Sequence, residues 1–264
     1  MNSDVRNVLV LVPFPLSPDQ LAKRAEQRDE IPLPPGIELH YRCTRAAPSS
    51  YVSAHDYVLA ELTLLEAGLR AEADGFDSVC IDTVSDSGVA ALRSVLSIPV
   101  LAPGRTMFLT ALLLGRTFGV LTMWKRWFGL YQRTLRDLGM ADRCAGMRSI
   151  DVRPDSRNLF TGKEDDIVPM LLDAAKLLVD VDGAEVVCLG STTMHQGHRH
   201  LQEALPVPVL NPGPLSYLTA EALLALGLTH SPSAYPQPIV PKQEMIEAML
   251  TGAAEAEANG SGSS

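Results

Sequence analysis

Val79-Cys80-Ile81-Asp82-Thr83, with Asp74-Gly75 before it and Ile98-Pro99-Val100-Leu101-Ala102-Pro103-Gly104 after it, occurs twice in this chain. The second copy reads Val187-Cys188-Leu189-Gly190-Ser191, between Asp182-Gly183 and Val207-Pro208-Val209-Leu210-Asn211-Pro212-Gly213. Asp74 and Asp182 are 108 residues apart, as are Cys80 and Cys188, and Pro99 and Pro208 are 109 apart. Solenoid units run to about 20–50 residues, so this period is too long for one. It predicts two related α/β halves that face each other. Thr83 and Ser191 then end matched strands on opposite walls of one cleft, which is where an enzyme keeps its chemistry.

The rest of the chain supports that frame. Val8 to Val12 is a continuous apolar run suited to a strand buried on both faces of a parallel sheet. Pro13-Phe14-Pro15-Leu16-Ser17-Pro18 follows as a proline-stiffened loop, and residues 19–50 read as polar and Pro-rich with a strand near Ile37–Tyr41. A helix is expected from Ser53 to Ala73, a strand from Phe76 to Asp82, a short helix from Gly88 to Leu96, a strand from Ile98 to Leu101 and a helix from Met107 to Leu114. The second half opens on the strand Phe118–Met123 and continues with helical spacing through Trp127, Phe128, Tyr131, Leu135 and Leu138. Thr161-x-x-Glu164 reads as a capping box for a helix that runs toward Val179 and contains Pro169. Strands at Val186–Leu189 and Val207–Leu210 and a helix at Pro214–Leu226 complete the copy. The expected organisation is a first lobe at 1–115 and a second at 116–227. A Pro-rich segment, a helix at Gln243–Leu250 and a flexible tail then fill 228–264. Alternating strands and helices predict a parallel sheet in each lobe, with ligand beyond the carboxyl ends of the strands.

Composition narrows the function classes. A net charge of −9 without a Lys/Arg run argues against a nucleic-acid surface. No apolar stretch approaches a membrane span, and no positive region followed by a long apolar run marks a signal peptide, so a cytoplasmic location is the expectation. Four cysteines without a CxxC pair suit neither a disulfide framework nor a thiolate zinc site. His195-x-x-His198-x-His200 has no Cys, Asp or Glu at telling spacing, and Gly-rich phosphate loops are absent, so neither metal nor nucleotide is expected.

The paired strand-end motifs, the repeated Pro-Val-Leu-x-Pro-Gly segments and Gly119-Val120-Leu121-Thr122 resemble the aspartate/glutamate racemase superfamily. The hydantoin/allantoin racemase branch is the most similar, with arylmalonate decarboxylase and maleate isomerase as relatives. The resemblance covers about residues 5–227. It implies two pseudo-symmetric α/β lobes, an active site in the cleft between them, a small-molecule substrate and no cofactor. Relatives of this kind form dimers or larger assemblies, which leaves a homo-oligomer open.

In that family two cysteines flank the substrate carbon; one thiolate removes the α-proton and the other thiol returns one to the opposite face. The first family cysteine falls on Thr83, followed by Asp86-Ser87-Gly88, and the second on Ser191, between Leu189-Gly190 and Thr192. An alcohol is a far weaker acid than a thiol and needs a neighbouring base. The two-thiol mechanism therefore does not carry over. Cys80 and Cys188 sit three residues before the strand ends, and an odd offset along a strand turns a side chain to the other face, so core packing is expected for both.

Hydroxyls and amides at these strand ends suit an anion or enolate cradle, although Ser and Thr also cap helices there. On the family pattern Ser17, Val84, Ser85, Thr122 and Thr192 bind substrate. Further acid–base candidates are Asp82 beside Thr83, Asp86, and His195, one helical turn beyond Ser191 and of suitable reference pKa. Where the family carries an Asn-Pro-Asn-Thr-Ser-like motif, this chain has Pro13-Phe14-Pro15-Leu16-Ser17, an apolar wall. With Trp124 and Trp127 in the second half, that wall predicts a bulkier and less charged ligand. The expected activity is racemisation or epimerisation beside a carbonyl of a small cyclic amide or carboxylate, through an enolate-like intermediate. The alternatives are a decarboxylase, another lyase or a hydrolase that uses the Ser191 and Thr83 hydroxyls, or a small-molecule binding protein without activity.

Overall fold

Strand β1 (Arg6–Val12) lies between β2 (Ile37–Cys43) and β3 (Ser78–Ile81), and both flanking strands run parallel to it. A parallel strand with neighbours on both sides and helices above and below has no wet face, which explains why Val8 to Val12 are all buried. The computed structural model of the protein describes residues 5–30, 33–153 and 164–260. Strand β4 (Val100–Leu101) completes a four-stranded sheet in the order β2-β1-β3-β4. Strands β5 (Phe118–Thr122), β6 (Cys144–Ser149), β7 (Val187–Leu189) and β8 (Val209–Leu210) form a second sheet in the order β6-β5-β7-β8. The duplicated sequence is thus a duplicated topology, two parallel α/β lobes. In the first sheet Cys80 aligns with Leu101, and in the second Cys188 aligns with Leu210.

The helices are α1 (Pro18–Ala25), α2 (Ala54–Gly68), α3 (Val89–Arg93), α4 (Pro103–Leu114), α5 (Phe128–Asp137), α6 (Glu164–Asp180), α7 (His195–Ala204), α8 (Pro212–Ala225) and α9 (Gln243–Gly260). Two features differ from the sequence reading. Helix α1 and strand β6 fall in segments that carried no strong apolar pattern. Helices α4 and α8 begin earlier than expected, because Pro103 and Pro212 each occupy a first-turn position, where a missing N–H costs nothing. The expected capping residue Thr161 lies outside the described residues, while Pro169 is accommodated within α6.

Each half lends its last helix to the other. Met107, Phe108 and Ala111 of α4 pack with Phe118 and Val120 of β5 and with Val186 and Cys188 at β7. Tyr217 and Ala220 of α8 pack with Val8 and Val10 of β1, Cys80 of β3 and Leu101 of β4. Burying a large apolar side chain such as Phe108 stabilises by about 1.5–3 kcal/mol, so these crossings weld the halves together. Beyond α8 the chain returns to the first lobe. His230 Nε2 lies 3.0 Å from the Leu96 carbonyl, Arg93 Nη1 donates to the Tyr235 hydroxyl at 2.9 Å, and Arg45 reaches α9 at Thr251.

Candidate active site

The loops after strands β3 and β7 line one cavity of about 50 Å3, room for a few waters or a compact ligand group. From the first lobe come Pro13, Phe14, Arg24, Tyr51, Asp82, Thr83, Val84 and Ser85; from the second, Trp127, Leu130, Gly190, Ser191, Thr192 and Thr193.

The two hydroxyl motifs repeat one pair of contacts, and in the first lobe Ser85 Oγ also donates to Ser87 Oγ at 3.1 Å. The Ser85 N–H donates to Thr83 Oγ1 at 3.4 Å, and the two side-chain oxygens lie 3.1 Å apart. The Thr193 N–H donates to Ser191 Oγ at 3.3 Å, and those oxygens lie 2.6 Å apart. Thr83 and Ser191 are half-buried, while Val84, Ser85 and Thr192 beside them are buried. Each lobe therefore presents a hydroxyl whose lone pair is pinned by the turn behind it.

Behind this symmetric pair the lobes differ. Asp82 is buried, and its carboxylate accepts from Arg24 Nε at 2.6 Å and from Gln27 Nε2 at 3.2 Å. Arg24 Nη2 also donates to the Asp82 carbonyl at 3.2 Å and to Thr192 Oγ1 at 2.5 Å. The guanidinium thus ties the end of β3 to the facing loop of the second lobe. Breaking a buried pair of this kind by removing one partner costs about 3–5 kcal/mol. The residue at the place of Asp82 in the second copy is Gly190, and its neighbour is Tyr131. Tyr131 has one hydroxyl proton, which goes to the Gly190 carbonyl at 2.7 Å, so at its 2.6 Å contact with Thr122 the donor is Thr122. A Cβ on Gly190 would lie 2.6 Å from Tyr131 Oη, so a side chain there would displace this support.

Several residues singled out from sequence lie elsewhere. Thr122 is fully buried and engaged with Tyr131, and it does not line the cavity. Ser17 is exposed and caps α1: its hydroxyl accepts from the Gln20 N–H while Gln20 reaches back to the Ser17 N–H. His195 is buried at the start of α7 and is not among the lining residues. Asp86 holds α4, with its carboxylate accepting from the Gly104 and Arg105 N–H groups at 2.7 and 2.8 Å and from Arg105 Nε at 3.2 Å. Burial pushes its carboxyl up to about 6, against the lowering effect of those donors. Cys80 and Cys188 are fully buried in the cores, where burial pushes both thiols well above their ordinary value. Phe14 forms the expected apolar wall, and Trp127 lines the cavity with Trp124 packed edge-on behind it at 6.4 Å.

Arg24 and Tyr51 were missed. Arg24 comes from α1, in the segment read as irregular. Its signal was Ser17-Pro18-x-Gln20, a capping box with proline at the first helical position. Tyr51 precedes α2 in a loop that offers no comparable signal.

The family model described as Asp/Glu/Hydantoin racemase matches residues 20–220. A hydantoin racemase from Rhizobium meliloti is 28% identical over 186 residues, which cover 70% of this chain and 75% of that protein. The structure of an allantoin racemase from Klebsiella pneumoniae superposes with a TM-score of 0.80 at 22% identity, covering 89% of this chain and 95% of that one. An arylmalonate decarboxylase structure shares the fold more distantly, with a TM-score of 0.55 at 15% identity over 86% of this chain and 96% of its own. With two β2-β1-β3-β4-type sheets meeting at paired hydroxyl loops, and a match over most of its length, the chain belongs to the Asp/Glu/hydantoin racemase family.

Proposed function

We propose that the protein is a cofactor-independent racemase or epimerase. It acts on the carbon beside a carbonyl in a small cyclic amide or carboxylate, through an enolate-like intermediate. The observation that carries this reading is the matched pair Thr83/Ser85 and Ser191/Thr193 on the two lobes of one cavity. Inversion needs both faces of one carbon served, and a duplicated loop supplies similar groups to each.

In the proposed reaction the α C–H bond breaks and its electron pair moves into the carbon–carbon bond of an enolate. The charge develops on the carbonyl oxygen. Hydroxyls and N–H groups held by the protein stabilise that oxygen without reorganising, which is worth most in a site that excludes water. A proton added to the opposite face gives the inverted product. Alcohols need a base; Asp82 is the one carboxylate among the described lining residues, and none of the four cysteines lines the cavity. We therefore assign proton acceptance to Asp82, which later returns its proton to solvent, and delivery to the opposite face to Ser191, whose hydroxyl passes on a proton taken from solvent water; Thr83 and the loop groups Val84, Ser85 and Thr192 support the oxyanion.

Solvent-deuterium exchange at the α-carbon tests this, with hydantoins, cyclic dipeptides and amino acids as substrates. Exchange with loss of optical activity and no change in substrate skeleton is expected. No exchange with any of these carbon acids overturns the proposal. The decarboxylase fold neighbour keeps a lyase as second reading, because loss of CO2 also yields an enolate; product mass separates the two. Hydrolysis fits less well, since no imidazole lines the cavity among the described residues to activate Ser191 or Thr83.

A further inference from the structure

Of the buried side-chain polar atoms that lack a hydrogen-bond partner among the described residues, two belong to residues that line the cavity: Tyr51 Oη and Trp127 Nε1. A buried donor without an acceptor is destabilising, and such groups are rare in folded proteins. Tyr51 comes from the first lobe and Trp127 from the second, and both pack into the same apolar cluster. Arg24, on the same cavity, spends Nε and Nη2 on Asp82 and Thr192, while among the described residues no hydrogen bond occupies Nη1.

We infer that Arg24, Tyr51 and Trp127 are ligand-binding residues, a set of donors that grips the oxygens of a small carbonyl compound or carboxylate and selects against ligands without such oxygens. Guanidinium and indole N–H groups donate and do not accept. Burial, reinforced by Glu61 and Asp56, pushes the Tyr51 hydroxyl far up, so it too remains a donor. The Asp82 carboxylate on the same cavity balances the Arg24 charge, and each of its oxygens keeps a lone pair beyond the one given to Arg24 or Gln27, so Arg24 serves here as a held donor and not as a free cation. The expectation of a less charged ligand came from the apolar loop around Phe14; Arg24, balanced by Asp82, adds a charged donor beside that wall. The inference rests on the cavity being the substrate site.

The test is calorimetric binding of two probes, 5-methylhydantoin for a carbonyl ligand and 2-phenylpropionate for a carboxylate, to the parent and to Tyr51→Phe, Trp127→Phe and Arg24→Gln. Tyr51→Phe and Trp127→Phe each should weaken at least one probe by about 5-fold, the loss of one neutral hydrogen bond. Arg24→Gln should weaken the carboxylate about 30-fold and the hydantoin less, because it removes a charged donor. If Arg24→Gln fails to fold, Tyr51→Phe still decides. It should bind more weakly while melting at an equal or higher temperature, since it deletes a hydroxyl with no partner among the described residues, whereas a structural tyrosine would lose stability. Unchanged affinity in both aromatic variants, or a parent that binds neither probe at millimolar concentration, overturns the inference. Deuterium exchange with unaltered binding in the variants would sink this inference alone. Weakened binding without exchange on any carbon acid would sink the proposed reaction alone.

Discussion

At the scale of single residues, the cysteines and the strand-end hydroxyls divide stability from chemistry. Cys80 lies under α8, with its thiol 3.8 Å from the Ser216 carbonyl, and Cys188 lies in the cluster beneath α4. A thiolate is the reactive species toward alkylating agents, and buried thiols with raised pKa form little of it. Iodoacetamide should therefore leave activity almost untouched. Cys80→Ala and Cys188→Ala should each cost about 1–2 kcal/mol in denaturant unfolding through a small cavity, with turnover per folded molecule retained. Thr83→Ala and Ser191→Ala should behave in the opposite way. They line a cavity and hold no core together, so turnover should fall about 100-fold, typical of a lost oxyanion donor, with little change in melting temperature. Rapid inactivation by iodoacetamide, with protection by substrate, would return the chemistry to thiols.

At the scale of elements, α4 depends on one acid. Asp86 adopts φ 55°, a left-handed conformation open to Asp at modest cost, and this aims its carboxylate at the first turn of α4. Gly104 is required for that approach, since a Cβ there would lie 2.6 Å from Asp86 Oδ1 and from the Val84 carbonyl. The carboxyl is raised from 3.8 to about 6 on folding, so between those values the folded state binds more protons than the unfolded one. Its contribution is complete below pH 4 and is lost as pH rises through 6, a difference of about 3 kcal/mol. Chemical denaturation of the parent and of Asp86→Asn at several pH values should show the parent losing that much relative to the variant between pH 4 and 7; parallel curves would refute it. The elements also show what could be read in advance. Buried parallel strands such as β1 announce themselves as unbroken apolar runs. Strand β6 does not, because Cys144-Ala-Gly-Met-Arg-Ser149 is a half-buried edge strand whose position is set by pairing with β5. Helix α1 buries no residue fully, so its face left no apolar stripe, and Arg24 was lost with it. Thr83 and Ser191 were legible because the repeat marks them twice; Ser17 and Thr122 were placed by resemblance and serve a cap and a buried tyrosine instead.

At the scale of the whole molecule, the repeat and the packing do not share a boundary. The sequence divides at about residue 115, yet α4 covers the second sheet and α8 covers the first. We propose that the halves 1–115 and 116–227 are units of duplication that cannot fold separately. A 1–115 fragment would leave Val8, Val10, Cys80 and Leu101 uncovered on one face of its sheet, and it would also expose Met107, Phe108 and Ala111 on α4. Several large apolar side chains left in water outweigh the roughly 5–15 kcal/mol by which a domain is stable. The same crossing holds the site together, because a hydroxyl loop at the end of each sheet keeps its position only while the other half supplies the covering helix. Arg24 adds a polar tie across the same gap, from Asp82 to Thr192. Residues 1–115 and 116–264 expressed separately should therefore show no cooperative thermal transition. Mixed during refolding, they should recover one transition and, with it, the ligand binding of the intact chain. A cooperative melt by either fragment alone would show that its sheet can cover itself, and the lobes would then be independent domains that merely touch at the cavity.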